Sequence, residues 1–204
     1  MKIILIGGFS EIFELCEECG FDILGYVDED SAVDRLKRYS YELLGSDSGF
    51  PFDVYKSAVS FFISPDSPSV REKIYQWTQF YGLTYARLIS PQSRVSRTAL
   101  IGHGSCLQYG ANVSASCVIG DFVKVNTYAN VMHDSVVGNF STIAPNAAIM
   151  GRVTIGERCY IGANATIIPE ITVCPNAIIG AGAVVNKDIV EPGTYVGVPV
   201  RRIK

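Results

Sequence analysis

The chain holds only two histidines, His103 and His133, and they differ in company: His133 is followed by Asp134, His103 by Gly104. An imidazole is the side chain best suited to take up and return a proton near neutral pH. A carboxylate beside it can orient the ring and strengthen it as a base. A lone histidine in a solvated turn usually does nothing, so His103 stays at that reading while the His133-Asp134 pair rises above it. Two histidines cannot supply a three-histidine zinc site, and no metal is expected.

The element that must hold His133 is a repeat. From Ile89 in steps of six the residues are Ile89, Val95, Ile101, Leu107, Val113, Ile119, Val125, Val131, Val137, Ile143, Ile149, Ile155, Ile161, Ile167, Val173, Ile179 and Val185, all aliphatic. A helix returns its apolar residues at three and four, a flat strand at two. Period six fits a hexapeptide β-helix, with one short strand and one corner per hexad. The position four after each aliphatic is mostly small, as an inward position in a narrow prism must be. Cys117 and Cys159 fall there, as small apolar side chains. Gly102, Gly120, Gly138 and Gly156 recur every 18 residues, so three hexads make one coil. Glycine suits corners with positive φ or crowded backbones. His103 and His133 both occupy the third position of a hexad, but 30 residues apart, and therefore on different corners.

This pattern resembles the left-handed β-helix acyltransferases. Acyl transfer from a thioester to an amine or hydroxyl needs a base and a place for the developing oxyanion. One coil beyond His133 is Gly151. A glycine stacked on the imidazole would leave room for a thioester and offer its N–H to the carbonyl oxygen, although a tight corner would also use glycine.

Before residue 89 the composition changes. Lys2 to Ile6 reads as a strand ending in Gly7-Gly8, with a helix capped by Ser10 and stopped by Gly20. Asp22 to Val27 is a second strand leading to Asp28-Glu29-Asp30, and a helical piece is expected near Val33 to Arg38. Ala58 to Ile63 is a third strand. A capping box at Ser67 opens a helix to about Tyr81, and Thr84 to Ile89 is a fourth strand. Alternating strands and helices predict a small Rossmann-like parallel sheet. The fold expected is thus an α/β domain over residues 1–88 and an all-β left-handed parallel β-helix of hexapeptide repeats over 89–204. In such sheets ligands sit beyond the carboxyl ends of the strands. Gly7-Gly8-Phe9-Ser10-Glu11-Ile12 lacks a G-x-G-x-x-G fingerprint, which disfavours a dehydrogenase. The glycine pair fits a phosphate-binding turn or a plain change of direction equally well.

Charge and composition narrow the function. A net charge of −3 argues against a nucleic-acid binder, and no apolar run is long enough for a membrane span or a secretion signal. A cytoplasmic protein is expected. Cys16 and Cys19 form a lone C-x-x-C without a second pair, read as reduced helix residues.

An α/β domain followed by about five unbroken coils resembles the nucleotide-sugar acetyltransferases of bacterial surface-glycan pathways, including the bacillosamine, perosamine and viosamine N-acetyltransferases and the sialic-acid O-acetyltransferase relatives. The carrying residues are Val131-Met132-His133-Asp134-Ser135-Val136-Val137-Gly138 and the closing Glu191-Pro192-Gly193-Thr194-Tyr195-Val196-Gly197-Val198-Pro199. The resemblance implies acetyl-CoA as co-substrate and a homotrimer with active sites between subunits. His133 would be the base and Asp134 its helper. Asn126, Phe9, Ser10, Glu11, Asp28, Glu29 and Asp66 would bind the nucleotide-linked aminosugar, and Thr142, Gly151, Ala163 and Ala181 the coenzyme. The family often carries Gly-x-x-Gly-His-Gly in the first turn, which this chain lacks. The acceptor implied is a UDP- or dTDP-linked 4-amino-4,6-dideoxy sugar, as in lipopolysaccharide O-antigen synthesis. A sugar O-acetyltransferase is an alternative from the same base, and a non-catalytic nucleotide-sugar scaffold is another, which the His133-Asp134 pair speaks against. The terminal Arg201, Arg202 and Lys204 could meet a coenzyme phosphate or merely solubilise the end.

Overall fold

The computed structural model describes residues 1–29, 39–46 and 49–204. Asp30 and the helical piece expected near Val33 to Arg38 lie outside the described residues.

The first part is a parallel sheet. Its strands are β1 (Lys2–Ile6), β2 (Asp22–Val27), β3 (Leu43–Gly45) and β4 (Ser60–Ile63), in the order β3-β2-β1-β4. Ile3 to Ile6 are fully buried because helices and coil cover both faces of the sheet, the usual state of a parallel strand. Helix α1 (Ser10–Glu18) buries Ile12, Phe13, Leu15 and Cys16 on one stripe, and Gly20, at φ +74°, turns the chain after it. Ser10 does not cap this helix. Phe9 occupies the cap position and Ser10 is the first helical residue.

Helix α2 (Phe52–Tyr55) and helix α3 (Pro68–Thr78) complete this part. Ser67 precedes α3 with no side-chain cap; its hydroxyl lies 3.2 Å from that of Ser69 instead. A 3₁₀ turn extends α3 to Tyr81, and Gly82 ends it with φ +65°. The fourth strand expected from Thr84 to Ile89 is reduced to one bridge, Phe61 with Tyr85. Its last residues, Leu88–Ile89, pair instead with Cys106–Leu107, because the chain has already entered the first coil.

From there the repeat runs as expected. Each aliphatic of the six-residue series is paired within a short strand, and strands 18 residues apart pair in parallel, as in Val118–Ile119 with Val136–Val137. Three sheets form the faces of a left-handed parallel β-helix. They are named here by their first strands: the Leu88 face, the Arg94 face and the Leu100 face. Val113, Val131, Ile149 and Ile167 fill the prism at 0% exposure, with Cys117 and Cys159 among the small inward residues.

The glycines spaced 18 apart serve crowding, not positive φ. A Cβ on Gly138 would stand 2.6 Å from the backbone of the next coil. The left-handed backbone falls two positions later in the hexads from Ile101 to Ile179, on Phe122, Asp134, Phe140 and Arg152 among others. Gly193–Val196 and Arg201–Arg202 close the prism as an antiparallel pair on the Leu88 face. Among the described residues no helix is long and apolar enough to cross a membrane.

Candidate active site

The α/β part is pinned to the Leu88 face and the corner before it. Arg71, on α3, is 1% exposed, and its guanidinium enters the coil corner. Nε donates to Phe122 O at 3.0 Å and Nη2 to Phe140 O at 2.6 Å, while Nη1 donates to Pro65 O and Asp66 O. Burial lowers its pKa to about 10, which still leaves it charged at neutral pH. Around it Phe122 and Phe140 stack at 5.1 Å, with Tyr75 against both rings. Lys124 is fully buried and donates to Ser64 O at the end of β4, and burial lowers its pKa.

These contacts fix Asp66. Its main-chain oxygen accepts from Arg71 and from the Thr142 hydroxyl at 2.8 Å, and its carboxylate accepts from Asn126 Nδ2 at 3.2 Å. Asn126 Oδ1 is buried with no partner among the described residues. Asp66 and Ser67 line two clefts. One, of about 430 Å³, opens beyond the carboxyl ends of β1, β2 and β4 and is lined by Gly7, Phe9, Asp28, Glu29 and Pro65 among others. The other, of about 680 Å³, runs along the Leu88 face past Glu72, Arg158, Tyr160, Asn176 and Ile178. Burial, with Asp66 close by, pushes the Tyr160 phenol up.

Asp28 shapes the first cleft. Its two carboxylate oxygens accept from the Gly8 and Glu29 N–H groups, each at 2.8 Å, which ties the β1 turn to the end of β2. Gly7 has φ +94°, and a Cβ there would stand 3.0 Å from Pro65. The sequence-predicted Phe9, Asp28, Glu29 and Asp66 therefore come together in one cleft, and Asn126 touches Asp66 beneath it. Ser10 and Glu11 do not join them. Ser10 lines neither cleft, and Glu11 faces a small groove with Gln108, Tyr109 and Thr127. Thr142 is fully buried, its hydroxyl spent on Asp66 and Arg71.

His133 stands elsewhere on the prism, at the corner between the Arg94 and Leu100 faces. Residue Nδ1 of its ring lies 2.8 Å from Asp134 Oδ2, and both side chains are about half exposed. This contact selects the tautomer with hydrogen on Nδ1, leaving a lone pair on Nε2. Gly151 is the next residue in the stack. A Cβ on it would stand 2.7 Å from both Nε2 and Cε1, and its three nearest atoms all belong to this ring. Gly151 has no positive φ, and its N–H donates to no acceptor among the described residues. The ring therefore packs over Gly151 in the place a side chain there would take, so the glycine makes room for the imidazole itself and not for a thioester beside it. Ala163 and Ala181 stack one coil apart on another corner, between the Leu88 and Arg94 faces. Neither large cleft includes His133, so one chain does not bring the imidazole to Asp66.

The bacterial transferase hexapeptide (six repeats) family matches residues 152–187. Among solved structures, PerB from Caulobacter crescentus, in complex with CoA and GDP-perosamine, superposes with TM-score 0.91 at 28% identity, over 100% of this chain and 98% of that one. The acetyltransferase domain of PglB from Neisseria gonorrhoeae, in complex with acetyl coenzyme A, gives 0.89 at 28% identity, over 99% and 98%. The chain is thus similar over its whole length to hexapeptide-repeat acyltransferases that bind CoA. WeeI from Acinetobacter baumannii is similar over the whole of both chains, with TM-score 0.83 at 26% identity. A search of curated protein sequences finds no match.

Sequence reasoning missed Arg71, Lys124 and Tyr160. Lys124 had a signal: it is the one charged residue in the outward column Leu88, Cys106, Lys124, Thr142, Tyr160 of its face. Arg71 had none, since its partners are mostly carbonyls of distant loops. The terminal Arg202 is engaged within the chain, donating to Pro192 O at 2.8 Å and pairing with Glu191.

Proposed function

We propose that the protein transfers the acetyl group of acetyl-CoA to the amine of a 4-amino-4,6-dideoxy sugar carried on UDP or dTDP, a step in bacterial surface-glycan synthesis. The observation that carries this reading is the His133 imidazole, held by Asp134 at 2.8 Å and packed over Gly151, whose N–H has no acceptor among the described residues. His133 takes the proton from the amine as its nitrogen attacks the thioester carbonyl. The C–N bond forms, the C–S bond breaks, and the proton goes on to the departing thiolate. Asp134 holds the imidazole in the tautomer that can do this. The Gly151 N–H is free to meet the carbonyl oxygen as it gains charge.

The cleft at Phe9, Asp28, Glu29 and Asp66 holds the nucleotide sugar. A glycine turn at the start of α1 suits the phosphates, and the carboxylates suit sugar or ribose hydroxyls. Because the cleft and His133 lie apart in one chain, the complete site forms between subunits of a homotrimer. Leu100, Val118 and Val136 support this assembly: they stack 18 residues apart on one face and are 66%, 40% and 39% exposed. Trimer packing would also bring the Ala163 and Ala181 corner of one subunit toward the His133 corner of another, with the coenzyme between them. The six unbridged cysteines fit a cytoplasmic enzyme.

Thiol release from acetyl-CoA, measured against UDP-, dTDP- and GDP-linked 4-amino sugars, tests the reading. Matched 4-hydroxy analogues and free sialic-acid-like sugars test the alternative of O-acetylation. Turnover confined to an amine acceptor on a nucleotide is expected. Turnover confined to hydroxyl acceptors, or none with any sugar nucleotide, would overturn it.

A further inference from the structure

Beside His133 runs a column of charge. One coil above Asp134 is Arg152, and one coil above that is Glu170. The three share left-handed backbone, with φ of 60°, 58° and 68°, so their side chains leave the corner from equivalent points. Arg152 N–H donates to His133 O at 2.9 Å and Glu170 N–H to Gly151 O at 3.0 Å, which holds the column in register. Arg152 therefore has a carboxylate one coil to either side. It takes the far one: Nε and Nη2 both donate to Glu170 Oε1, at 3.0 and 2.6 Å. The near one, Asp134, is left to the imidazole.

We propose that Glu170 is a positioning residue for the acyl transfer, holding Arg152 so that the Asp134 carboxylate stays on His133 Nδ1. The inference rests on His133 being the base. A guanidinium is a strong, forked partner for any carboxylate in reach, and Asp134 is the nearest alternative once Glu170 is gone. The rest of the corner offers no substitute. The coil below presents Ala115 and Ser116, and the coil above presents Gly151 beside Arg152. The next charge below on the His133 column is Arg97, two coils away. Loss of the Asp134 contact would release the ring to its other tautomer, with hydrogen on Nε2 and no lone pair there to take the amine proton.

The readout is the His133 tautomer, from ¹⁵N NMR of the neutral imidazole in a His103→Asn background, where only one histidine signal remains. The parent should carry hydrogen on Nδ1. Glu170→Gln should move the population toward Nε2–H and lower kcat by about fivefold, the worth of an exposed ion pair, without changing the melting temperature. Adding Arg152→Ala should restore both the tautomer and the rate. An unchanged tautomer in Glu170→Gln, or one still displaced in the double variant, would overturn the proposal. A displaced and restored tautomer with kcat constant throughout would instead keep the Arg152 latch and overturn His133 as the base.

Discussion

Gly151→Ala and Gly151→Val probe the packing of His133 over residue 151 directly. A Cβ at 2.7 Å from Nε2 and Cε1 is closer than ordinary carbon contact at about 3.5 Å, so the imidazole must retreat by about 0.8 Å. Displacements of about 1 Å at a reacting group cost on the order of 10²-fold. Valine adds two methyl groups against the ring and shields the N–H, a donor worth roughly 10²–10³ in rate. The account therefore expects kcat to fall by about 10² for alanine and by about 10³ or more for valine. Stability should barely change, because residue 151 needs no positive φ and meets nothing but a half-exposed ring. Melting curves and sedimentation report the fold, and steady-state kinetics report the transfer. In His133→Ala, adding Gly151→Ala should cost little more, since the clash has been removed. A folded Gly151→Val enzyme with unchanged kcat would refute the reasoning.

His133→Asn should lower kcat by roughly 10²–10⁴, whereas His103→Asn should be near neutral; equal losses would point to folding instead of chemistry. Asp28→Ala should raise KM for the nucleotide sugar and leave that for acetyl-CoA nearly unchanged, read from initial rates with each substrate varied. Arg71→Met should destabilise by about 3 kcal/mol or more, read from denaturant unfolding, since it orphans several buried carbonyls at once.

The β-helix was legible because a narrow prism repeats the same demand every six residues. Each aliphatic from Val95 to Val185 falls where the reading put it. Gly151 could be stacked on His133 by counting 18, since pairing between coils has no other register. The α/β part was less legible. Leu43–Gly45 and Phe52–Tyr55 are too short for periodicity, and Thr84 to Ile89 reads as a strand although tertiary pairing draws its end into the first coil. Thr142 shows a different limit. The repeat says that it points outward from its strand, but not that α3 and the Asp66 loop cover that face. Arg71 and Lys124 look like surface charges in sequence, because what accepts their hydrogens is mostly backbone. The positive φ at Asp134 and Arg152 was hidden for a related reason: the corner imposes it on whatever residue arrives there, aromatic and charged alike.

Mixed trimers test the central claim most directly, namely that His133 of one subunit serves the nucleotide cleft of another. His133→Asn and Asp28→Ala chains, each with its own tag, would be co-expressed, purified through both tags and assayed at nucleotide-sugar concentrations below KM. Each variant alone should be slow. Every mixed three-fold ring has one intact base beside one intact cleft among its three junctions, so activity should recover to about a third of wild type. Mixed trimers no faster than their parents would place base and cleft in the same chain and contradict the account.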